Sequence, residues 1–197
     1  MATAYRWGVV TGDICDVPCD AVVNAANPTL LGGAGVDGAI HDAAGNELVC
    51  HILEHVPVLR TADYDPDYPI RCETGMVVAT PSFGMKNCKA ILHTVGPIWH
   101  GGNNGEPEQL AKCYWNCLEK AKELGLRSVA FPCISAGCYG YPLNMATDIA
   151  VKTVKKWMNS WRGGRNCDIK VVFVVFNEEC YVAYENFIDY HTRGDGE

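Results

Sequence analysis

With 197 residues, 48% of them apolar and 20% charged, the chain can build one globular domain over 1–197 (core about 5–190), and disordered or fibrous classes are excluded. A net charge of -7 argues against a duplex-binding surface, which needs a basic footprint, and fits single-stranded RNA poorly; a nucleotide held by uncharged backbone N–H groups stays open. No apolar run approaches the roughly 20 residues that span a bilayer and no leader pattern is read, so a cytoplasmic protein without membrane attachment is expected.

Strand-like and helix-like segments alternate. Tyr5–Val10 reads as a first strand and Asp20–Asn24 as a short buried one. Val36–His55 has helical spacing, broken into two pieces near Gly45. Residues 60–71, rich in Asp, Tyr and Pro, read as an irregular excursion. Met76–Thr80 and Ala90–Thr94 are apolar and rich in strand formers, and Gly101–Gly105 reads as a flexible turn. Glu106–Leu124 is a long helical pattern capped by Gly125. Ser128–Pro132 is a strand ended by proline, and Asn144–Ser160 a helix with Ile149, Thr153, Val154 and Trp157 on one side. Ile169–Phe176, nearly all β-branched or aromatic, is the strongest strand; Glu178–Tyr190 closes as a helix, with a frayed tail after it. Such alternation predicts an α/β sandwich around a largely parallel sheet, whose site lies at the carboxyl ends of the strands.

Three strand-following loops carry the chemistry. In Gly12-Asp13-Ile14, Asp13 would be a buried acceptor for an exocyclic amine such as that of adenine, or a turn aspartate capping local N–H groups; both readings stay open. Asn24 and Asn27 precede a loop, Gly32-Gly33-Ala34-Gly35-Val36-Asp37-Gly38, with five of seven positions Gly or Ala and a helix after it. Bare N–H groups at a helix start favour phosphate, and asparagines bond hydroxyls without adding charge. Neither a Walker loop nor a dinucleotide GxGxxG fits the spacing. Asp37 is the only ionisable side chain between Asp20 and His41; His41, four residues on, shares its helix face and would orient it or be structural.

The third loop, Ser135-Ala136-Gly137-Cys138-Tyr139-Gly140, would grip the other side of a diphosphate, with Tyr139 as a lid over a sugar. Ser135 or Cys138 as a nucleophile lacks a base nearby in sequence. Phe176 would pack against a base or belong to the core, and Asn177 would contact the nucleoside. His93 reads as a core histidine rather than a catalyst.

Eleven scattered cysteines without an export signal read as reduced, buried thiols. The pairs Cys15/Cys19 and Cys113/Cys117 complete no zinc set, and His51 and His55 read as a solvated helix end.

Taken in chain order, Gly12-Asp13-Ile14, Val22-Val23-Asn24-Ala25-Ala26-Asn27, Gly32–Gly38 with Ala39-Ile40-His41 and Ala43-Ala44-Gly45, Cys72-Glu73-Thr74-Gly75, His93-Thr94-Val95-Gly96-Pro97 and Phe131–Pro142 resemble the macro domain family, of the MacroD type, over about residues 5–190. The resemblance implies a three-layer α/β/α fold with a mixed, largely parallel sheet that binds ADP-ribose. It implies hydrolysis of mono-ADP-ribose esters on Asp and Glu side chains of proteins and deacetylation of O-acetyl-ADP-ribose, without cofactor or metal, by a chain expected to act as a monomer. Asp13 would bind the adenine amine, with Ile14 assisting through its backbone. Asn27 would hold the distal ribose. Gly33, Ala34, Gly35, Val36 and the Ser135–Tyr139 loop would wrap the diphosphate and ribose, with Asn24, Phe176 and Asn177 as further contacts. Asn27, Asp37 and His41 form the candidate catalytic set. An ordinary aspartate, with a pKa about 3.9, is a weak base at neutral pH, so Asp37 is expected mainly to position a water shared with a diphosphate oxygen.

Four positions depart from the family pattern. Ala34 sits where the family's glycine run continues, and a positive φ there would cost about 1 kcal/mol. Ala136 and Cys138 replace the commoner threonine and aliphatic residue, and Asp42 a frequent arginine. The alternatives are a non-catalytic ADP-ribose reader and an ADP-ribose-1″-phosphate phosphatase; the intact Gly-Val-Asp-Gly at 35–38 favours an enzyme.

Overall fold

The computed structural model describes residues 7–160 and 169–193; Tyr5, at the start of the expected first strand, and the last residues of the tail lie outside them. The elements are β1 (Trp7–Thr11), β2 (Ala21–Ala26), α1 (Val36–Ala44), α2 (Asn46–His55), β3 (Arg60–Ala62), β4 (Asp65–Ile70), β5 (Val77–Pro81), β6 (Ala90–Val95), α3 (Glu106–Glu123), β7 (Ser128–Phe131), α4 (Leu143–Ser160), β8 (Lys170–Val175) and α5 (Glu178–Arg193). Each expected element is present among the described residues, where ends differ by a residue or two and α5 runs on to Arg193.

Six strands form one sheet in the order β1-β8-β7-β2-β6-β5, all parallel except β5, which runs antiparallel to β6. β8 shows why its sequence is apolar throughout: Val171, Phe173 and Val175 face one helical layer and Val172 and Val174 the other, as a strand covered on both sides requires. On one face α1 and α2 lay Ile40, Ala44, Leu48 and Ile52 over Val22, Ile91, Ala130 and Val174. On the other, α3, α4 and α5 pack Leu110, Tyr114, Trp157 and Tyr184 against Val23, Leu92, Phe131 and Phe173. The result is a three-layer α/β/α sandwich. Gly45, at φ 81, breaks α1 from α2 as its position in the sequence suggests.

Three expectations need correction. Residues 60–71 are not irregular: β3 and β4 pair antiparallel in a separate two-stranded ribbon. Its Pro66 and Pro69 disguise it, but a ribbon with open edges tolerates residues that donate no ladder bond. Not every thiol is buried: Cys72, Cys113 and Cys117 are, whereas Cys50 on α2 and Cys138 in a loop are exposed. The Gly101–Gly105 turn is clamped rather than loose. The buried Glu106 carboxylate accepts the N–H of His100 (3.0 Å), Gly102 (3.2 Å) and Asn104 (2.5 Å). Among the described residues no helix is long and apolar enough to cross a membrane.

Burial alone would push the Glu106 carboxyl up, but the N–H groups converging on it hold it down at about 2. A carboxyl lowered on folding stabilises the fold above its ordinary pKa and loses that contribution as the pH falls. Thermal melts of Glu106→Gln should therefore lie below wild type at pH 7, with a gap that closes between about pH 4.5 and 2; a gap of constant size would show that the N–H cluster does not act through the charge.

Candidate active site

β7 and β2 are neighbours, but the chain leaves them toward opposite layers: β2 leads to α1 on one face and β7 to α4 on the other. This is a topological switch point, where diverging loops open a crevice at the strands' carboxyl ends. β8 and then β1 continue the row, so Gly12–Ile14, Phe176–Asn177, the Ser135–Gly140 loop and the glycine loop share one edge. Strands about 4.8 Å apart make that edge about 14 Å from β1 to β2.

The glycine loop is pinned by Asn27. Its Nδ2 donates to Gly32 O (2.7 Å), and its Oδ1 accepts from Thr29 N (3.0 Å) and Thr29 Oγ1 (2.6 Å). Gly32 and Gly35 take the positive φ values, 91 and 63, whereas Ala34 is not among the described non-glycine residues with positive φ, so its methyl carries no left-handed strain. Gly35 is the N-cap of α1 and supplies no side-chain cap, which leaves the first-turn N–H groups without a side-chain acceptor from the cap at the positive end of the helix dipole.

Asp37, in that first turn, is 4% exposed. Its Oδ1 accepts from Asn24 Nδ2 at 2.7 Å, and His41 Nε2 stands 3.5 Å from the same oxygen. Oδ2 points the other way: a Cβ placed on Gly33 would lie 2.9 Å from it and 3.3 Å from Asn27 Nδ2. The missing side chain of Gly33 is thus the space on which the carboxylate and the Asn27 amide converge. Burial pushes the Asp37 carboxyl above the usual range, against the Asn24 hydrogen bond and the His41 charge. Burial pushes His41 down, against Asp37 and Asp42, and neither ring nitrogen has a hydrogen-bond partner.

The second loop is tied by Gly140 N to Gly137 O (2.9 Å), Tyr141 N to Ser135 O (3.0 Å) and Trp99 N to Tyr139 O (2.8 Å). Ser135 takes φ 66 and turns its hydroxyl inward against Gly96, where a Cβ would collide with it. That hydroxyl is buried without a hydrogen-bond partner, so the nucleophile reading of Ser135 falls for want of a base. Ala136 is half-buried; Gly137 and Cys138 are exposed at the tip. Tyr139 is half-buried, its hydroxyl pushed up by burial and then by Tyr68, Asp37 and Tyr64, so the carboxylate and the tyrosines of the β3–β4 ribbon are within its electrostatic reach.

Other expected contacts fall at the far end. Asp13 is exposed, not buried, and its Oδ1 caps Cys15 N at 2.8 Å. Ile14 buries its side chain in the core, leaving only backbone for a ligand. Phe176 is 64% exposed, so it is not core. Asn177 is exposed, and its Oδ1 accepts from Cys180 N at the start of α5. Asn24 is the clearest correction: it has no accessible surface and lies beneath Asp37 rather than against a ligand. As a strand residue it faces the α1 layer together with Val22, which makes it part of the sheet floor.

Two features escape a reading of the sequence. His93 is a core histidine as expected, yet its Nδ1 is 3.1 Å from Asn24 Nδ2 and its Nε2 is 3.0 Å from Thr80 Oγ1. The register pair Asn24↔His93 depends on strand order, which no local pattern reveals. The ribbon stands beside the glycine loop because Arg71 N and Cys72 N both donate to Pro28 O. Its Tyr64 and Tyr68, rings 5.8 Å apart, are the only hint the sequence offered: two tyrosines four apart in an otherwise polar stretch.

Known proteins share this architecture. The macro domain family profile matches residues 23–150. A macro domain-containing protein of Xanthomonas axonopodis pv. citri is 45% identical over 180 residues, covering 91% of this chain and 93% of the relative. An O-acetyl-ADP-ribose deacetylase of Salmonella newport is 42% identical over 183 residues, covering 93% and 94%. The Oceanobacillus iheyensis macrodomain solved with ADP superposes with a TM-score of 0.81 at 38% identity, covering 94% of this chain and 91% of that one; a variant solved with ADPR gives 0.80.

The Asp37–His41 contact predicts a titration. Because the Asp37 charge is what holds the His41 pKa up against burial, Asp37→Asn should move the His41 NMR titration to lower pH. An upward or absent shift would mean that the two side chains do not interact in solution.

Proposed function

The chain belongs to the macro domain family, and on that premise we propose that it binds ADP-ribose along the carboxyl ends of β1, β8, β7 and β2 and hydrolyses O-acyl esters of the distal ribose. The observation that carries the reading is the convergence of Asp37 Oδ2 and Asn27 Nδ2 on the open side of Gly33, with Asp37 Oδ1 already engaged by Asn24. An adenosine fits the β1–β8 end, where Asp13 has a second carboxylate oxygen and Phe176 an exposed ring. The diphosphate fits the middle, between the uncapped start of α1 and the second loop. That order leaves the distal ribose over Gly33, with Tyr139 above it.

In this pose a water lies between Asp37 Oδ2, the Asn27 amide and a diphosphate oxygen. The ester bond joins the ribose to an acyl group, either the acetyl of O-acetyl-ADP-ribose or an Asp or Glu side chain of a modified protein. Asp37 orients the water and takes one of its protons as the water oxygen bonds to the acyl carbon; the acyl–oxygen bond breaks, the acyl group leaves as a carboxylic acid, and the proton passes from Asp37 to the ribose oxygen, which becomes a hydroxyl. Burial raises Asp37 toward the range where a carboxylate accepts a proton usefully, which gives it more of the base's role than an exposed aspartate would have. His41, lowered by burial, stays neutral and shapes the pocket wall.

The test compares ADP-ribose release from a protein modified on acidic residues with release from a serine-modified one, and follows acetate release from O-acetyl-ADP-ribose. Release from both esters and none from the serine ether is expected; retained label together with thermal stabilisation by ADP-ribose would make the chain a reader. Asp37→Ala should lower kcat by about a hundredfold or more with ADP-ribose still bound. Full turnover in Asp37→Ala and its loss in Asn27→Ala would move the catalytic role away from Asp37. Gly33→Ala, whose methyl would press on Asp37 Oδ2, should also cost about a hundredfold while the melting temperature holds. The acid limb of kcat/KM should lie above the ordinary aspartate range.

A further inference from the structure

On the sheet face under α1 a row of polar side chains crosses apolar neighbours. Asn24 on β2, His93 on β6 and Thr80 on β5 lie on adjacent strands, all buried, among Val22, Ile91 and Val95. Polar side chains in such a place are costly unless each is bonded. The bonds form a chain: Asp37 Oδ1 to Asn24 Nδ2 (2.7 Å), Asn24 Nδ2 to His93 Nδ1 (3.1 Å), His93 Nε2 to Thr80 Oγ1 (3.0 Å), and Thr80 Oγ1 to Pro81 O (3.1 Å).

Donor and acceptor rules leave one arrangement when Asp37 is ionised. A carboxylate only accepts, so the Asn24 atom facing it is the NH2 group, whose second hydrogen points at His93 Nδ1. His93 Nδ1 must then be the unprotonated nitrogen and Nε2 the N–H, which donates to Thr80 Oγ1. The Thr80 hydroxyl hydrogen in turn goes to Pro81 O, whose acceptor needs no adjustment. Burial holds His93 neutral, down at about 3, as this arrangement requires. The far end of the chain therefore sets the tautomer, and the tautomer sets which way the Asn24 amide faces.

We propose that Thr80, His93 and Asn24 are positioning residues that fix Asp37 Oδ1 from below, so that Oδ2 alone addresses the cleft. This rests on the hydrolase reading for its kinetic consequence but not for its structural one. Thr80→Val keeps the shape and removes the acceptor. His93 can then turn to the Nδ1–H form, which opposes the Asn24 N–H, and Asp37 loses its donor. Asp37 also faces His41 on its own helix and Tyr139 on the second loop, with Asp42 beside His41. Thr80→Val alters none of these, so a change in the titration of Asp37 reports the buried chain.

Two measurements test it. Side-chain ¹⁵N spectra of wild type should give His93 as the neutral Nε2–H tautomer from pH 5 to 8; the Nδ1–H form or a protonated ring overturns the proposal whether or not the protein is an enzyme. In kinetics, Thr80→Val should lower kcat by about tenfold and move its acid limb to higher pH, while ADP-ribose affinity stays within about twofold of wild type. Thr80→Ser, which restores the hydroxyl, should recover most of the rate. His93→Leu should behave as Thr80→Val, and His93→Asn, which offers an acceptor near the Nδ1 position, should be milder. Should His93→Leu fail to fold, Thr80→Val against Thr80→Ser decides. An unchanged kcat and acid limb in Thr80→Val, or a loss of ADP-ribose affinity in step with kcat, overturns the proposal. An inactive wild type with the Nε2–H tautomer removes the hydrolase reading and leaves the buried chain standing.

Discussion

A carboxylate held almost out of water at the floor of an open cleft is the constraint around which the rest of this structure is organised. Asp37 is 4% exposed, and burial of a charge is tolerated only where donors replace the lost water. Its own loop cannot supply a side-chain donor, because glycine and alanine dominate it. The donor comes from below, through Asn24 on the central strand β2, at 2.7 Å. A hydrogen bond to a charged group is worth about 1.5–3 kcal/mol, enough to keep the charge in place yet not enough to cancel the desolvation. The net effect is a carboxyl that stays above its ordinary pKa. The polar row across an apolar sheet face serves the same need: His93 engages the Asn24 amide N–H from the next strand, while Asn24 Oδ1 stays without a partner.

The two loops that frame the carboxylate reach their positions by different means. The first uses absence: Gly32 and Gly35 take backbone angles closed to most residues, and Gly33 leaves room beside Oδ2. The second accepts strain. Ser135 sits at φ 66, a left-handed conformation costing about 1–3 kcal/mol for a residue with a Cβ, and it persists because the surroundings over-determine it. Gly96 gives the serine side chain space, Tyr141 N bonds Ser135 O, and the clamp of Glu106 holds the segment whose Trp99 N–H ties down Tyr139 O. A carboxylate far from the chemistry thus shapes a loop that faces it.

Much of this could be read from the chain alone, and the limits have a physical pattern. Periodicity gave the strands and helices because β8 and α4 are buried in the manner their apolar spacing implies. The loops were legible because Asn27, Gly32–Gly38 and Ser135–Gly140 are contiguous and each motif carries its chemistry locally. What stayed hidden depends on partners distant in sequence. Asn24 looks like a ligand contact until β6 is seen beside it, with His93 at the paired position. The ribbon at 60–70 was masked by its prolines, and its approach to Tyr139 depends on backbone bonds to Pro28. Asp13 keeps its expected place at the β1 end of the cleft but is exposed, because the turn it caps lies at the surface.

Two histidines lie near the carboxylate, their rings 6.3 Å apart, and both are held neutral by burial. Their neutrality bears on the charge of Asp37. A protonated His41 at 3.5 Å would stabilise the Asp37 charge and lower its pKa, which would weaken it as a proton acceptor. Keeping His41 uncharged at neutral pH removes that brake. An anionic ligand acts on both groups in the same sense: negative charge near the site raises Asp37 and His41 together. The raised aspartate is a stronger base, while the raised histidine starts to offer the opposing charge. Burial acts in opposite directions on the two groups, raising the carboxyl and lowering the imidazole, so their depth as much as their identity sets the balance between them.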